Sequence, residues 1–356
     1  MKRKAHYNLI MYIPLLAAVG MLTTFSSCEH KDLCYDHDAH APKSQVMIKA
    51  DYEKEWQYTY DDGVDWKNYS AWQESFGMGY DLLCPGIPEG LRVQVYGADG
   101  FDHILNIAPE GGIVQLREGE CSLLFYNNDT EYIVFDDMQS YISARATTRA
   151  RTRTTYNGNS YMESRSENTV NPPDMLYGNY MESYTACRTV EPEVLPVAMH
   201  PLVFTYLVRY EFSHGLKYVA MARGALAGMA ASVYLNSGRT SAEDATVLYD
   251  CTLQDFGVQS LVRSFGIPDF PNEHYTRTIR SYALNLEVRL KNGNLKSFDF
   301  DVTDQVAAQP QGGVIVVSGI EIPDEEGMEG GSGFDVDVDG WGEFEDIELP
   351  LSLIHI

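Results

Sequence analysis

Tyr282-Ala283-Leu284-Asn285-Leu286-Glu287-Val288-Arg289-Leu290 decides the fold class. Successive side chains of an extended chain point to opposite sides. Tyr282, Leu284, Leu286, Val288 and Leu290 therefore share one apolar face, and Asn285, Glu287 and Arg289 lie on the other, the pattern of a half-buried strand. Lys291-Asn292-Gly293-Asn294 follows as a turn, because Asn and Gly accept the backbone angles of a tight reversal. Leu295 to Val302 returns as the second arm of a hairpin.

The same rhythm runs upstream. Gln45 to Tyr52, Gly90 to Tyr96, Gly112 to Leu116 and Glu120 to Tyr126 read as strands, and Leu202 to Phe212 is the longest apolar one. Val194 to Met199 and Gly312 to Val317 add two more. The turn Asn127-Asn128-Asp129-Thr130 predicts that Glu131 to Phe135 pairs back on the preceding strand as a hairpin. Leu216 to Leu235 contains Gly224-xxx-Gly228 and is apolar, but Arg223 and Lys217 argue against a membrane helix. A strand, a tight glycine-containing turn and another strand are expected there. Short alternating strands separated by turn signals point to an all-β protein built of sandwiches.

Between residues 143 and 193 the rhythm breaks. Thr147 to Thr155 is polar and basic, and Asn157 to Pro173 is rich in turn formers. The expected organisation is an N-terminal sandwich over 44–142, an exposed linker or long loop over 143–193 and a C-terminal sandwich over 194–322. An acidic, Gly-rich extension follows over 323–356, with room for a terminal strand. Arg149, Arg151 and Arg153 would be open to a trypsin-like protease, and a plain exposed linker is the expected reading.

The first residues carry a targeting pattern. Lys2, Arg3 and Lys4 precede an apolar run from Leu9 to Leu22 that is too short to span a bilayer, where about 20 residues are needed. Small and polar residues then lead to Cys28. This arrangement resembles the lipobox of bacterial lipoproteins in its Ser26-Ser27-Cys28 form, with Phe25 departing from the usual Leu. The resemblance implies a signal peptide over 1–27, diacylglycerol on the Cys28 thiol with a further acyl chain such as palmitate on Cys28, and a tether over 28–43. Two or more acyl chains hold a protein durably where one is marginal. Glu29-His30-Lys31-Asp32 loosely resembles the acidic tags that send such lipoproteins to the cell surface. An outer-membrane, surface-exposed location is expected.

The formal net charge is −25. A chain that acidic is repelled by phosphate backbones, so nucleic acid is excluded as a partner class. Cys28, Cys34, Cys84, Cys121, Cys187 and Cys251 are widely scattered and show no CxxC spacing. The chain has no GxSxG, HExxH or P-loop motif, and the expectation is a non-enzyme without a cofactor.

Three side-chain groups have candidate chemistry. Cys34, His37 and His40 look like metal ligands, yet they lie in a tether with no scaffold to fix their geometry. Asp335, Asp337, Asp339, Glu343 and Asp346 approximate the register of a calcium loop with Gly340 at its turn. Phe334, Val336 and Val338 alternate with those carboxylates, so a strand is the competing reading. Trp56, Trp66 and Trp72 belong to an aromatic-rich segment over 52–80. Flat aromatic faces stack on sugar rings, and they also pack sandwich cores; both readings stand at this point.

Several stretches together resemble a known family. They are Gly90 to Tyr96, Tyr126-Asn127-Asn128-Asp129-Thr130-Glu131, Pro173-Asp174-Met175-Leu176-Tyr177-Gly178, Arg223 to Ala230, and Asp301-Val302-Thr303-Asp304 before Gly312-Gly313. In this order they resemble a family of Bacteroidales lipoproteins related to the fimbrillin superfamily, especially its anchor and minor subunits. The resemblance implies two tandem transthyretin-like β-sandwiches and a role in assembly, attachment or adhesion of type V pili. It implies fimbrial subunits as partners, joined by β-strand addition, and oligomers only through that assembly. The alternative is a carbohydrate-binding surface lipoprotein that uses segment 52–80.

Overall fold

Strands make up most of the described residues, as the alternation predicts. The computed structural model describes residues 43–56, 64–151, 168–271 and 280–328. From the N-terminus come β1 (Lys43–Tyr52), β2 (Leu91–Gly97), β3 (Gly100–Ile107), β4 (Gly111–Arg117) and β5 (Gly119–Tyr126). The short strands β6 (Ile133–Asp136), β7 (Arg145–Thr148) and β8 (Asn168–Val170) follow, then β9 (Tyr177–Ala186) and β10 (Glu193–Pro201). Seven of these form one sheet in the order β3-β2-β5-β9-β10-β1-β4.

β10 is the corner of that sheet. Glu193 to Met199 pair in parallel with Val46 to Tyr52, whereas His200 and Pro201 pair antiparallel with Gly178 and Tyr177 of β9. A strand that changes partner along its length lets one sheet fold over on itself as two facing layers. Val46, Ile48, Val93, Leu116, Phe125 and Met199 fill the space between them.

The C-terminal half repeats the device. It contains β11 (Phe204–His214), β12 (Val219–Ala230), β13 (Ser232–Tyr234), β14 (Asp244–Gln254), β15 (Gly257–Ser264), β16 (Ala283–Leu290), β17 (Leu295–Asp301) and β18 (Gly313–Glu321). The order is β17-β16-β12-β14-β15-β11-β18, with β8 paired on β14. Here β14 turns the corner: Asp244 to Cys251 lie against β12, and Thr252 to Gln254 pair with β15. Tyr282, Leu284, Leu286, Val288 and Leu290 all face the core, as their alternation predicts, and meet Tyr206, Val208 and Ile315 there. The fold is all-β with two sheet bodies in tandem. Three short helices punctuate the described residues: α1 (Trp72–Phe76), α2 (Thr303–Ala307) and α3 (Asp324–Met328).

The two bodies belong to one compact unit that begins at Ser44. A small sheet, β13-β7-β6, takes strands from both halves of the chain. Around it Tyr96, Leu124, Tyr126 and Leu176 pack with Val203, Ala230, Val233, Leu235 and Phe265 in a shared apolar cluster.

Four expectations change. The hairpin expected around Asn127 to Thr130 does not form, because β6 leaves β5 to pair with β7. Asp174 holds it there by accepting the backbone N–H groups of Glu131, Tyr132 and Ile133, and Asn127 accepts that of Tyr177. The expected linker over 143–193 instead supplies β7, β8 and β9, with β9 an inner strand of the first sheet. Its residues 152–167 lie outside the described ones. The stretch from Val194, assigned to the second sandwich, forms β10 of the first. Finally, Val219 to Ala230 is one strand rather than two around a turn. Gly228, at φ +89°, absorbs a bulge between Leu226 and Met229. Gly224 leaves room for the Tyr249 ring where any Cβ would collide. No helix among the described residues is long and apolar enough to cross a membrane.

On the face of β12 and β16 turned away from the core, Arg223 sits opposite Glu287. The two form an ion pair at 2.5 Å with side chains only 4% and 1% exposed. Taking both charges out of water is costly, so losing one partner costs more than losing both. Arg223→Ala or Glu287→Ala is expected to lower unfolding stability by about 3–5 kcal/mol in urea titrations, and Arg223→Met combined with Glu287→Leu to recover most of it.

Candidate functional site

The aromatic segment forms a strap. Trp56 and residues 64–83 lie on the outer surface of β11 and β18 in the second body. Gly77 ends α1 in the left-handed conformation at φ +70°, which turns the chain into a 3-10 turn at Tyr80–Leu83. Trp56, Trp72, Phe76 and Leu83 pack with Leu207 and Val314. The Trp56 and Trp72 rings meet edge-on, with centroids 5.4 Å apart. Trp56 donates its indole N–H to the Thr205 carbonyl at 2.8 Å, and Trp66 donates to the Gln309 Oε1 at 2.7 Å. Arg209 pins the strap from below by donating to the Ser75 carbonyl, while its guanidinium lies over the Phe256 ring at 3.5 Å.

This placement leaves Trp56 and Trp72 no open ring face for a sugar. Trp56 and Trp72 are 3% and 6% exposed, so their faces are already covered by other rings and by β11 and β18. Trp66 is half-buried and its polar atom is committed to Gln309. The signal that suggested a glycan platform was the packing reading of the same residues.

A cleft of about 540 Å³ opens where the two bodies meet. Leu83, Asn171, Asp174, Asp250 and Arg263 are among the residues that line it. Its charges are largely used within the fold: Asp174 caps β6, and Arg151 lies 3.6 Å from Asp250 and donates to the Leu248 carbonyl. Arg149 and Arg151 are likewise part of the fold, since the Arg149 N–H bonds to the Tyr132 carbonyl and the Arg151 N–H to that of Thr169. Arg153 lies outside the described residues. Among the described residues no group of three or more His, Cys, Asp or Glu side chains is placed to hold a metal ion.

At the far end of β11 a polar latch fixes α3. The Asp324 carboxylate accepts from the Tyr218 hydroxyl at 2.7 Å and lies 3.2 Å from the Lys217 ammonium and 3.0 Å from His214 Nε2. These donors, Tyr218 and then Lys217 foremost, hold its pKa down to about 2. Gly327 slides under the Tyr218 ring, where a Cβ would collide.

Cys28, the Cys34, His37 and His40 group, and the carboxylates Asp335, Asp337, Asp339, Glu343 and Asp346 lie outside the described residues. Cys84, Cys121, Cys187 and Cys251 are free thiols.

Residues 83–250 match the family model of a domain of unknown function, DUF5119. The sequence is 24% identical over 371 aligned positions to "Putative fimbrium anchoring subunit Fim4B" of Bacteroides ovatus, covering 96% of this chain and 98% of the relative. The chain is similar to that protein along nearly its whole length. Among solved structures, a "putative adhesin" from Bacteroides ovatus superposes with a TM-score of 0.56 at 20% identity, over 81% of this chain and 95% of that one. That likeness establishes a shared fold. "The fimbrial anchor protein Mfa2" from Porphyromonas gingivalis matches more loosely, with a TM-score of 0.41 at 7% identity over 77% of this chain and 90% of that one.

The buried strap makes a direct prediction. Trp56→Ala is expected to destabilise the fold by about 3–5 kcal/mol, the cost of emptying a large core site. In affinity gels, polysaccharide retention by the folded Trp66→Ala variant should equal that of the wild type; selective loss of retention would restore the glycan reading.

Proposed function

We propose that this chain is a non-enzymatic, lipid-anchored subunit of a surface fibre, held to the outer membrane through Cys28 and joined to neighbouring fibre subunits by strand addition. The observation that carries the reading is the end-to-end match to a fimbrium anchoring subunit, which spans nearly the full length of both chains. A shared single domain would match only part of each.

The fold supports an anchoring role in a second way. β1 is the strand nearest Cys28 in the sequence, and it is an inner strand, flanked by β10 and β4. Its seven registered pairs with β10 run from Val46↔Glu193 to Tyr52↔Met199. Tension arriving along the tether therefore falls on a ladder with neighbours on both sides. Gly111 presses the β3–β4 turn against the Ile48 carbonyl, so close that a Cβ there would overlap the backbone. An anchor strand gains from such seating, because local opening starts where backbone hydrogen bonds are few and exposed.

Partner contact in this reading comes from main-chain pairing at a sheet edge, where hydrogen bonds give affinity and alternate side chains give register. The buried Trp56 and Trp72 give no support to carbohydrate stacking at those two residues. The acidic surface suits solubility beside a membrane and excludes anionic polymers by repulsion.

Replacing the lipidated thiol tests the reading. Cys28→Ala is expected to abolish incorporation of labelled palmitate and to move the chain from the outer-membrane fraction to the soluble one. The same cells should then shed their fibres into the medium. Unchanged membrane retention of Cys28→Ala would overturn the anchor, and fibres that stay attached would overturn the fimbrial role.

A further inference from the structure

β18 lies at the end of its sheet, where one side of a strand normally offers unpaired N–H and C=O groups. Its sequence makes this edge hazardous. Val314-Ile315-Val316-Val317 is β-branched throughout, uncharged and free of proline, the composition that pairs readily with another chain. In the parallel register with β11, Gly313, Ile315 and Val317 alternate with Val314 and Val316, and one set points its backbone groups outward.

The outward groups are met by side chains. The Gln309 amide donates to the Val314 carbonyl at 2.9 Å and accepts the Val314 N–H at 2.8 Å. The Gln305 amide donates to the Val316 carbonyl at 3.0 Å and accepts the Val316 N–H at 2.9 Å. Two glutamine amides, four residues apart, thus take the hydrogen-bonding positions that a neighbouring strand would use on two alternate residues of β18. α2 delivers Gln305 and the turn that ends it delivers Gln309, with Val306 between them anchored in the core. Gln309 is held further by the Trp66 indole on its Oε1 and by the Tyr206 hydroxyl on its backbone carbonyl.

Beyond Val316 the edge is guarded differently. The register with β11 slips between Tyr210 and Phe212 and again between Phe212 and His214. Gly319 sits at φ +82° in the same stretch, so the backbone bends away from a flat edge.

We propose that Gln305 and Gln309 are guards of a latent pairing edge, and that without them a second copy of this chain adds to β18. This inference is independent of the fimbrial reading, because it concerns only self-association of the purified chain. The net charge of −25 opposes approach of two copies, so pairing should strengthen with salt.

The test is sedimentation of the full chain in detergent, at about 1 M sodium chloride where the screening length is about 3 Å. It is paired with hydrogen exchange of the Val314 and Val316 amides. Wild type should stay monomeric with both amides protected. Gln305→Ala combined with Gln309→Ala should form dimers as concentration rises. Its two amides should exchange at least about tenfold faster when dilute and regain protection in the dimer. A folded double variant that stays monomeric overturns the proposal, as does fast exchange of both amides in the wild type. Should the double variant lack native near-ultraviolet dichroism, Gln305→Ala alone, the less buried of the two, decides: the Val316 amide should exchange at least about tenfold faster when dilute and regain protection as dimers form, and a folded monomer at all concentrations overturns the proposal.

Discussion

Tyr96, Leu124 and Tyr126 project from the first sheet into the apolar cluster that also holds Val203, Val233, Leu235 and Phe265 of the second half. Everything else in the molecule depends on this shared core. Its polar edge is closed as well: the Tyr126 hydroxyl donates to Gln94 Oε1 at 2.6 Å, and Gln94 donates in turn to Tyr96 and to the Met138 carbonyl. Buried polar groups satisfied in this way add direction to an otherwise non-directional contact. The strap supplies a second bond between the bodies, from Trp56 to the Thr205 carbonyl and from Trp66 to Gln309. With both in place, the two bodies are joined by apolar packing and by hydrogen bonds.

The rest of the architecture follows from how two folded-over sheets dispose of their edges. β10 and β14 each change partner and so turn one sheet into two layers without a break in the ladder. Closure is incomplete, which leaves β3 and β4 at the ends of the first sheet and β17 and β18 at the ends of the second. β17 carries Lys296, Asp299 and Asp301, charges that disfavour a casual partner. β18 has no charge over its apolar run and uses glutamine amides in their place.

Much of the fold was legible because alternation is a local signal. Tyr282 to Leu290, Leu202 to Phe212 and Gly90 to Tyr96 are strands at nearly the residues where their patterns place them. The misassigned regions are those whose partners are distant. β9 reads as polar because Tyr180, Glu182 and Ser183 face solvent, and only pairing with β5 makes it a strand. β6 parts from β5 through Asp174, more than 40 residues away. Aromatic residues look alike whether they will stack on sugar or on a sheet 130 residues downstream. Gln305 and Gln309 carry a four-residue spacing that any solvated helical turn shares, so their role appears only once β18 lies beside them. The lipobox-like pattern that ends at Cys28 lies outside the described residues.

The central claim is that the two sheet bodies behave as one unit because they share a core. Scanning calorimetry of the chain tests this most directly. A shared core predicts one transition, with calorimetric and van't Hoff enthalpies equal. Two resolved transitions, or a calorimetric enthalpy well above the van't Hoff value, would contradict it.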